Sequence, residues 1–142
     1  MQISKQEEGA ALIAALYGKG YQDALERLGE IAPDFRDLIV EVIAGTIYTR
    51  AQLDQRSREL VAIASLASLG HALPQLKIHV AGALALGWTR SEIIEALTQV
   101  AMHAGFPAAR NAIMAAGEVF AAHPDLGSSG EINQYIYAKG AA

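Results

Sequence analysis

The chain has 142 residues, a net charge of −4 and no cysteine, which suits one domain and excludes disulfides, thiolate metal sites and thiol nucleophiles. Apolar residues make up 52% of it, 28 of them alanine, and the mean hydropathy is +0.21; a chain this short buries a limited share of its surface alone, so the surplus is expected in subunit contacts. No basic block stands out, so nucleic acid is not an expected partner, and no apolar run approaches the roughly 18 residues of a membrane span.

Helical periodicity recurs along the whole chain and strand-like alternation is absent, so the fold class is all-α. Helices are predicted at about 5–17, 21–30, 34–48, 55–69, 73–86, 90–104 and 107–122. Ser4 is placed to cap the first, and Pro33 opens the third, where its missing N–H costs nothing. Thr89 and Glu92 have capping-box spacing. Gly70 and Gly87 stand where two helices should end, and Phe106-Pro107 closes one helix and opens the next. The N-terminal MQISKQEEGA is polar and lacks the apolar stretch of a signal peptide, so the expected location is cytoplasmic.

Residues 1–122 are read as one helical domain and 123–142 as a linker and tail. His123-Pro124-Asp125 and Gly127-Ser128-Ser129-Gly130 have linker composition. Beyond them Ile132, Tyr135, Ile136 and Tyr137 could form an amphipathic turn that docks on the core or on a neighbouring subunit; a frayed terminus is the other reading.

Three residues on successive helices could carry chemistry. Glu59 sits beside the stripe Leu60, Ile63, Ala64 and Ala67, and reads as a solvated carboxylate near the helix N-terminus or as a pocket residue. His79 borders the stripe Leu76, Val80, Ala83 and Leu84, either as a satisfied core histidine or on an inner pocket wall. His103 falls near a helix C-terminus, where histidine also complements the dipole. The four histidines, at 71, 79, 103 and 123, include no i,i+3 or i,i+4 pair, so no metal is expected. No GxGxxG, Walker loop or G-x-S-x-G is present, so no nucleotide cofactor is expected.

Four pieces occur together in order. Pro33-Asp34-Phe35, Gly45, Tyr48, Arg50 and Leu53-Asp54-Gln55-Arg56-Ser57-Arg58 come first. Leu76 to Gly87 reads L-x-x-H-x-x-x-A-L-x-x-G; Thr89 to Ala96 follows as T-x-x-E-I-x-E-A, and Ala104-Gly105-Phe106-Pro107-Ala108-Ala109 closes the set. In this order the chain resembles the carboxymuconolactone decarboxylase family over about residues 20–122. The peroxidase-like branch, alkylhydroperoxidase D, carries a Cys-x-x-Cys pair at positions equivalent to Ala72 and Gln75, so the resemblance is to the cysteine-free branch.

The resemblance implies an alkylhydroperoxidase D-like helical domain assembled as a trimer or hexamer. It also implies a pocket between core helices for a small carboxylate or lactone, and decarboxylation of 4-carboxymuconolactone without a cofactor. Loss of CO₂ from an unsaturated lactone leaves electrons that delocalise to the lactone carbonyl, so the substrate is its own electron sink. His79 then suits proton transfer, with Glu59 and His103 beside it, and Arg50, Arg56 and Arg58 are candidates for gripping a carboxylate. The chain departs from the lactone decarboxylase pattern at His103, where an aromatic residue is usual, and at His71-Ala72-Leu73, where Arg and an acidic pair are usual. A related enzyme on another acid or lactone, and a non-catalytic helical oligomer that binds a small acid, are the alternatives. The placement expected from the pattern is convergence of Glu59, His79 and His103 on one pocket faced by an arginine.

Overall fold

A computed structural model describes residues 2–128, and every element in it is helical. The chain divides into two compact units, the first ending at Gln55 and the second beginning at Arg56.

The first unit holds α1 (Lys5–Ile31), α2 (Pro33–Leu38) and a π-helical stretch, Ile39–Ile47, that continues α2. Ser4 caps α1 as its sequence predicts: its Oγ accepts from the Glu7 N–H, and Glu7 Oε2 accepts from the Ser4 N–H at 2.7 Å. The two helices expected at 5–17 and 21–30 run end to end within α1, parted by a kink at one non-helical residue, Gly18, at φ 66° and ψ −173°. That conformation is open essentially to glycine alone, so the break falls there. The helix expected at 34–48 changes character after Leu38, and the Tyr48 N–H reaches back five residues to the Ile43 carbonyl. A side chain at Gly9 would overlap the Val40 carbonyl, and one at Gly45 the Lys5 carbonyl, so α1 and the π-helical stretch cross with their backbones nearly touching. Ile13, Leu25, Val40 and Ala44 form the small core beside this crossing.

The second unit is a four-helix assembly: α3 (Gln55–Leu69, in this unit from Arg56 on), α4 (Leu73–Ala85), α5 (Arg90–Ala104) and α6 (Phe106–Ala122). Its core joins Ile63 and Ala67 of α3, Leu76, Val80 and Ala83 of α4, Ile93 and Leu97 of α5, and Ala112 and Ala116 of α6. Burial of each large aliphatic side chain here stabilises the fold by about 1.5–3 kcal/mol, while the alanines let α6 approach closely. Thr89 and Glu92 make the expected capping box, with both reciprocal bonds at 3.0 Å. Gly87, at φ 88°, turns the chain out of α4.

The segment His123–Gly127 is fastened to the start of α5. The Arg90 guanidinium donates to the carbonyls of His123, Pro124 and Leu126, and the Arg90 N–H donates to the Gly127 carbonyl at 3.1 Å. Ile132, Tyr135, Ile136 and Tyr137 lie outside the described residues. No described helix is long and apolar enough to cross a membrane.

Candidate active site

Glu59 is the first residue of the buried face of α3, one turn before Ile63 and two before Ala67, and is wholly inaccessible to solvent. The reading of Glu59 as a solvated carboxylate is thereby overturned: the buried stripe is Glu59, Ile63 and Ala67, with Leu60 and Ala64 at its edge. A carboxylate is costly to bury without charge or hydrogen-bond partners. One partner is His79, whose Nδ1 stands 2.7 Å from Glu59 Oε2.

His79 borders the buried face of α4, as its spacing from Leu76 and Ala83 predicts, and 20% of its side chain reaches solvent. In the tautomer with the proton on Nδ1, the ring donates to the Glu59 carboxylate oxygen. Nε2 is then the ring nitrogen suited to exchange a proton. This is the arrangement of a base and the group that orients it.

His103 takes a different position. It is exposed in the last turn of α5 and lines a groove between α3 and α5 of about 560 Å³. Ser57, Leu60, Val61, Trp88, Gln99 and Val100 also line that groove; Glu59 and His79 do not.

The three arginines also separate. Arg50 belongs to the first unit and is exposed. Arg58 is half-buried, next to Glu59 on α3. The Arg56 guanidinium stacks 3.6 Å over the Trp88 ring and lies 3.9 Å from the Glu92 carboxylate. The Trp88 indole N–H donates to the Arg56 carbonyl at 2.8 Å, which ties the turn before α5 to the first turn of α3, where Glu59 follows. Sequence reasoning overlooked Trp88; the available signal was a lone tryptophan between a helix-ending glycine and a helix-capping threonine.

Residues 33–118 match the carboxymuconolactone decarboxylase family. The chain belongs to that family, and both members of the pair fall within the matched span. It is 33% identical over 108 residues to the 4-carboxymuconolactone decarboxylase of Acinetobacter baylyi, covering 76% of this chain and 78% of that protein. It is also 32% identical over 109 residues to an uncharacterized 15.0 kDa protein encoded in the nqo9–nqo10 intergenic region of Paracoccus denitrificans, covering 72% and 81% respectively.

Proposed function

We propose that the protein is a cofactor-independent carboxy-lyase acting on 4-carboxymuconolactone or a closely related unsaturated lactone acid. The observation that carries this reading is the Glu59–His79 pair, with its carboxylate sealed from solvent and its imidazole partly open. In the reaction the bond from the γ-carbon to the carboxylate breaks and CO₂ leaves. The electron pair spreads through the double bond to the lactone carbonyl, and a proton returns to carbon.

His79 delivers that proton through Nε2, and Glu59 holds the ring. General acid–base catalysis of this kind contributes typically about 10²–10⁴-fold. Arg58, half-buried on α3, is the arginine assigned to the substrate carboxylate. Arg56 is assigned to holding Trp88 and Glu92 in place. His103 serves the α3–α5 groove it lines.

The protein is further proposed to work as a homo-oligomer. Met102, Phe106 and Met114 are 80%, 82% and 60% exposed on α5 and α6, a concentration of large apolar side chains that suits a subunit contact.

The deciding experiment is an assay of the purified protein with 4-carboxymuconolactone, following CO₂ release and the enol-lactone product. Turnover that vanishes in His79→Asn supports the assignment. No turnover by the folded wild-type protein on this lactone or its close analogues would sink it.

A further inference from the structure

Glu59 and His79 stand on different helices, so their 2.7 Å contact depends on how α3 is set against α4. Backbone to backbone, α6 lies close to α4 and α5, while α3 stands farther from all three. The side chains that α3 sends into the core, Ile63 and Ala67, are held by an attraction without direction. Such contacts specify the rotation and axial position of a helix less sharply than hydrogen bonds do.

Trp88 supplies a directional contact. It is built into the end of α4: the Gly87 N–H donates to the Leu84 carbonyl at 3.1 Å, and the Trp88 N–H to the Ala83 carbonyl at 3.0 Å. With Gly87 at φ 88°, these two bonds make a Schellman motif, so the Trp88 backbone moves with α4. From there the indole N–H donates to the Arg56 carbonyl at 2.8 Å, across 32 residues of sequence.

Arg56 returns the grip. Its guanidinium lies 3.6 Å over the Trp88 ring. Its Nη2 is buried and makes no hydrogen bond among the described residues, since the Glu92 carboxylate, at 3.9 Å, is beyond hydrogen-bond reach. An unpaired buried donor costs stability, so it is the ring that holds the guanidinium here. The carbonyl and the side chain of one residue thus take the edge and the face of one indole. Arg56 shares a helix face with Glu59, three residues on and so about 4.5 Å along the axis. His79 lies six residues before Ala85, the last residue of α4, a distance of about 9 Å.

We propose that Trp88 is a positioning residue: with Arg56 it clamps the first turn of α3 to the end of α4 and thereby sets the Glu59–His79 contact. A catalytic pair needs such support, because side chains left to their own packing hold it too loosely. The effect on the contact rests on geometry alone; the effect on turnover rests on the carboxy-lyase reading.

Two variants open the clamp in different ways. Trp88→Phe keeps an aromatic ring and removes the indole N–H, and Arg56→Lys keeps the charge and removes the flat stack. Ile93→Val, in the core and away from the clamp, is the control for a general loss of stability. In protein labelled with ¹⁵N-histidine, the ring-nitrogen shifts of His79, assigned by their loss in His79→Asn, report its tautomer without any substrate. Both clamp variants should move these shifts from the Nδ1-protonated pattern toward the mixture of a free imidazole, while Ile93→Val leaves them in place. With a confirmed substrate, kcat in Trp88→Phe should fall about 10²-fold, the cost of a misplacement near 1 Å, with KM nearly unchanged. Unchanged shifts in both clamp variants overturn the proposal, however far their stability falls. So do an equal change in Ile93→Val and a wild-type kcat in Trp88→Phe. Shifts that respond as expected in a protein with no turnover support the clamp and sink the carboxy-lyase reading alone.

Discussion

The Glu59 carboxylate, wholly shielded from solvent on α3, is joined to Nδ1 of His79 on α4 across 2.7 Å. The contact spans 20 residues of sequence and links two faces that both point into the same core. It ties stability and chemistry to one pair of side chains, and the two can be separated by substitution.

Glu59→Gln keeps the shape and a hydrogen-bonding group but removes the negative charge. Turnover on a confirmed substrate should fall by about 10²–10⁴-fold, while the melting curve changes little. His79→Ala removes one partner of a buried carboxylate, and should cost about 1–3 kcal/mol of stability as well as activity. Steady-state kinetics and urea unfolding of both variants check this. Wild-type turnover in Glu59→Gln would remove the pair from the mechanism.

The crossing of α1 with the π-helical stretch leaves no room for a methyl group at Gly9 or Gly45, because the obstacle in each case is a backbone carbonyl rather than a flexible side chain. Gly9→Ala and Gly45→Ala should each destabilise the protein by about 1–3 kcal/mol, the usual cost of overpacking. Gly20→Ala, where a side chain meets open space, is the control. Equal stabilities for all three would contradict the close crossing.

Tyr21 packs edge-on against Tyr17 with ring centroids 5.3 Å apart, and burial raises its phenol above the ordinary value near 10. The folded state then holds this proton more tightly than the unfolded chain does. Its contribution to stability is complete below about pH 10 and declines as the pH rises beyond that. Urea unfolding at about pH 8 and pH 11 should show a loss at the higher pH that is smaller in Tyr21→Phe. An identical loss in the two proteins would place the alkaline sensitivity elsewhere.

Self-association through the exposed α5–α6 surface should appear in light scattering as a trimer or hexamer at micromolar concentration. Phe106→Glu, at a site 82% exposed, should shift the distribution toward smaller species without loss of helicity. A wild-type protein that stays monomeric at that concentration would refute the assignment.

Much of the secondary structure was legible because its causes are local. A serine or threonine three residues before a glutamate satisfies the first free N–H groups of a helix wherever it occurs, and the boxes at Ser4 and Thr89 formed as their spacing requires. Gly87 and the Phe106-Pro107 step likewise mark ends by backbone geometry alone. The π-helical stretch was not legible, because an apolar run such as Ile39–Ile47 fits bonds to the fourth or the fifth preceding residue alike. The contact that brings Gly45 against the Lys5 carbonyl lies forty residues away in sequence.

The sequence by itself determined that this is a helical, thiol-free chain, and its motif order pointed to the family to which it belongs. What it left open was the fate of Glu59, since a carboxylate beside an apolar stripe can turn to solvent or inward with almost the same local pattern. Only the docking of α3 against α4 decided that, by supplying the His79 imidazole as a partner within the buried face. The same packing placed His103 on the wall of a separate groove. Periodicity fixes where a side chain points on its own helix, but which side chains meet depends on how the helices are turned toward one another, and that is settled by filling the core.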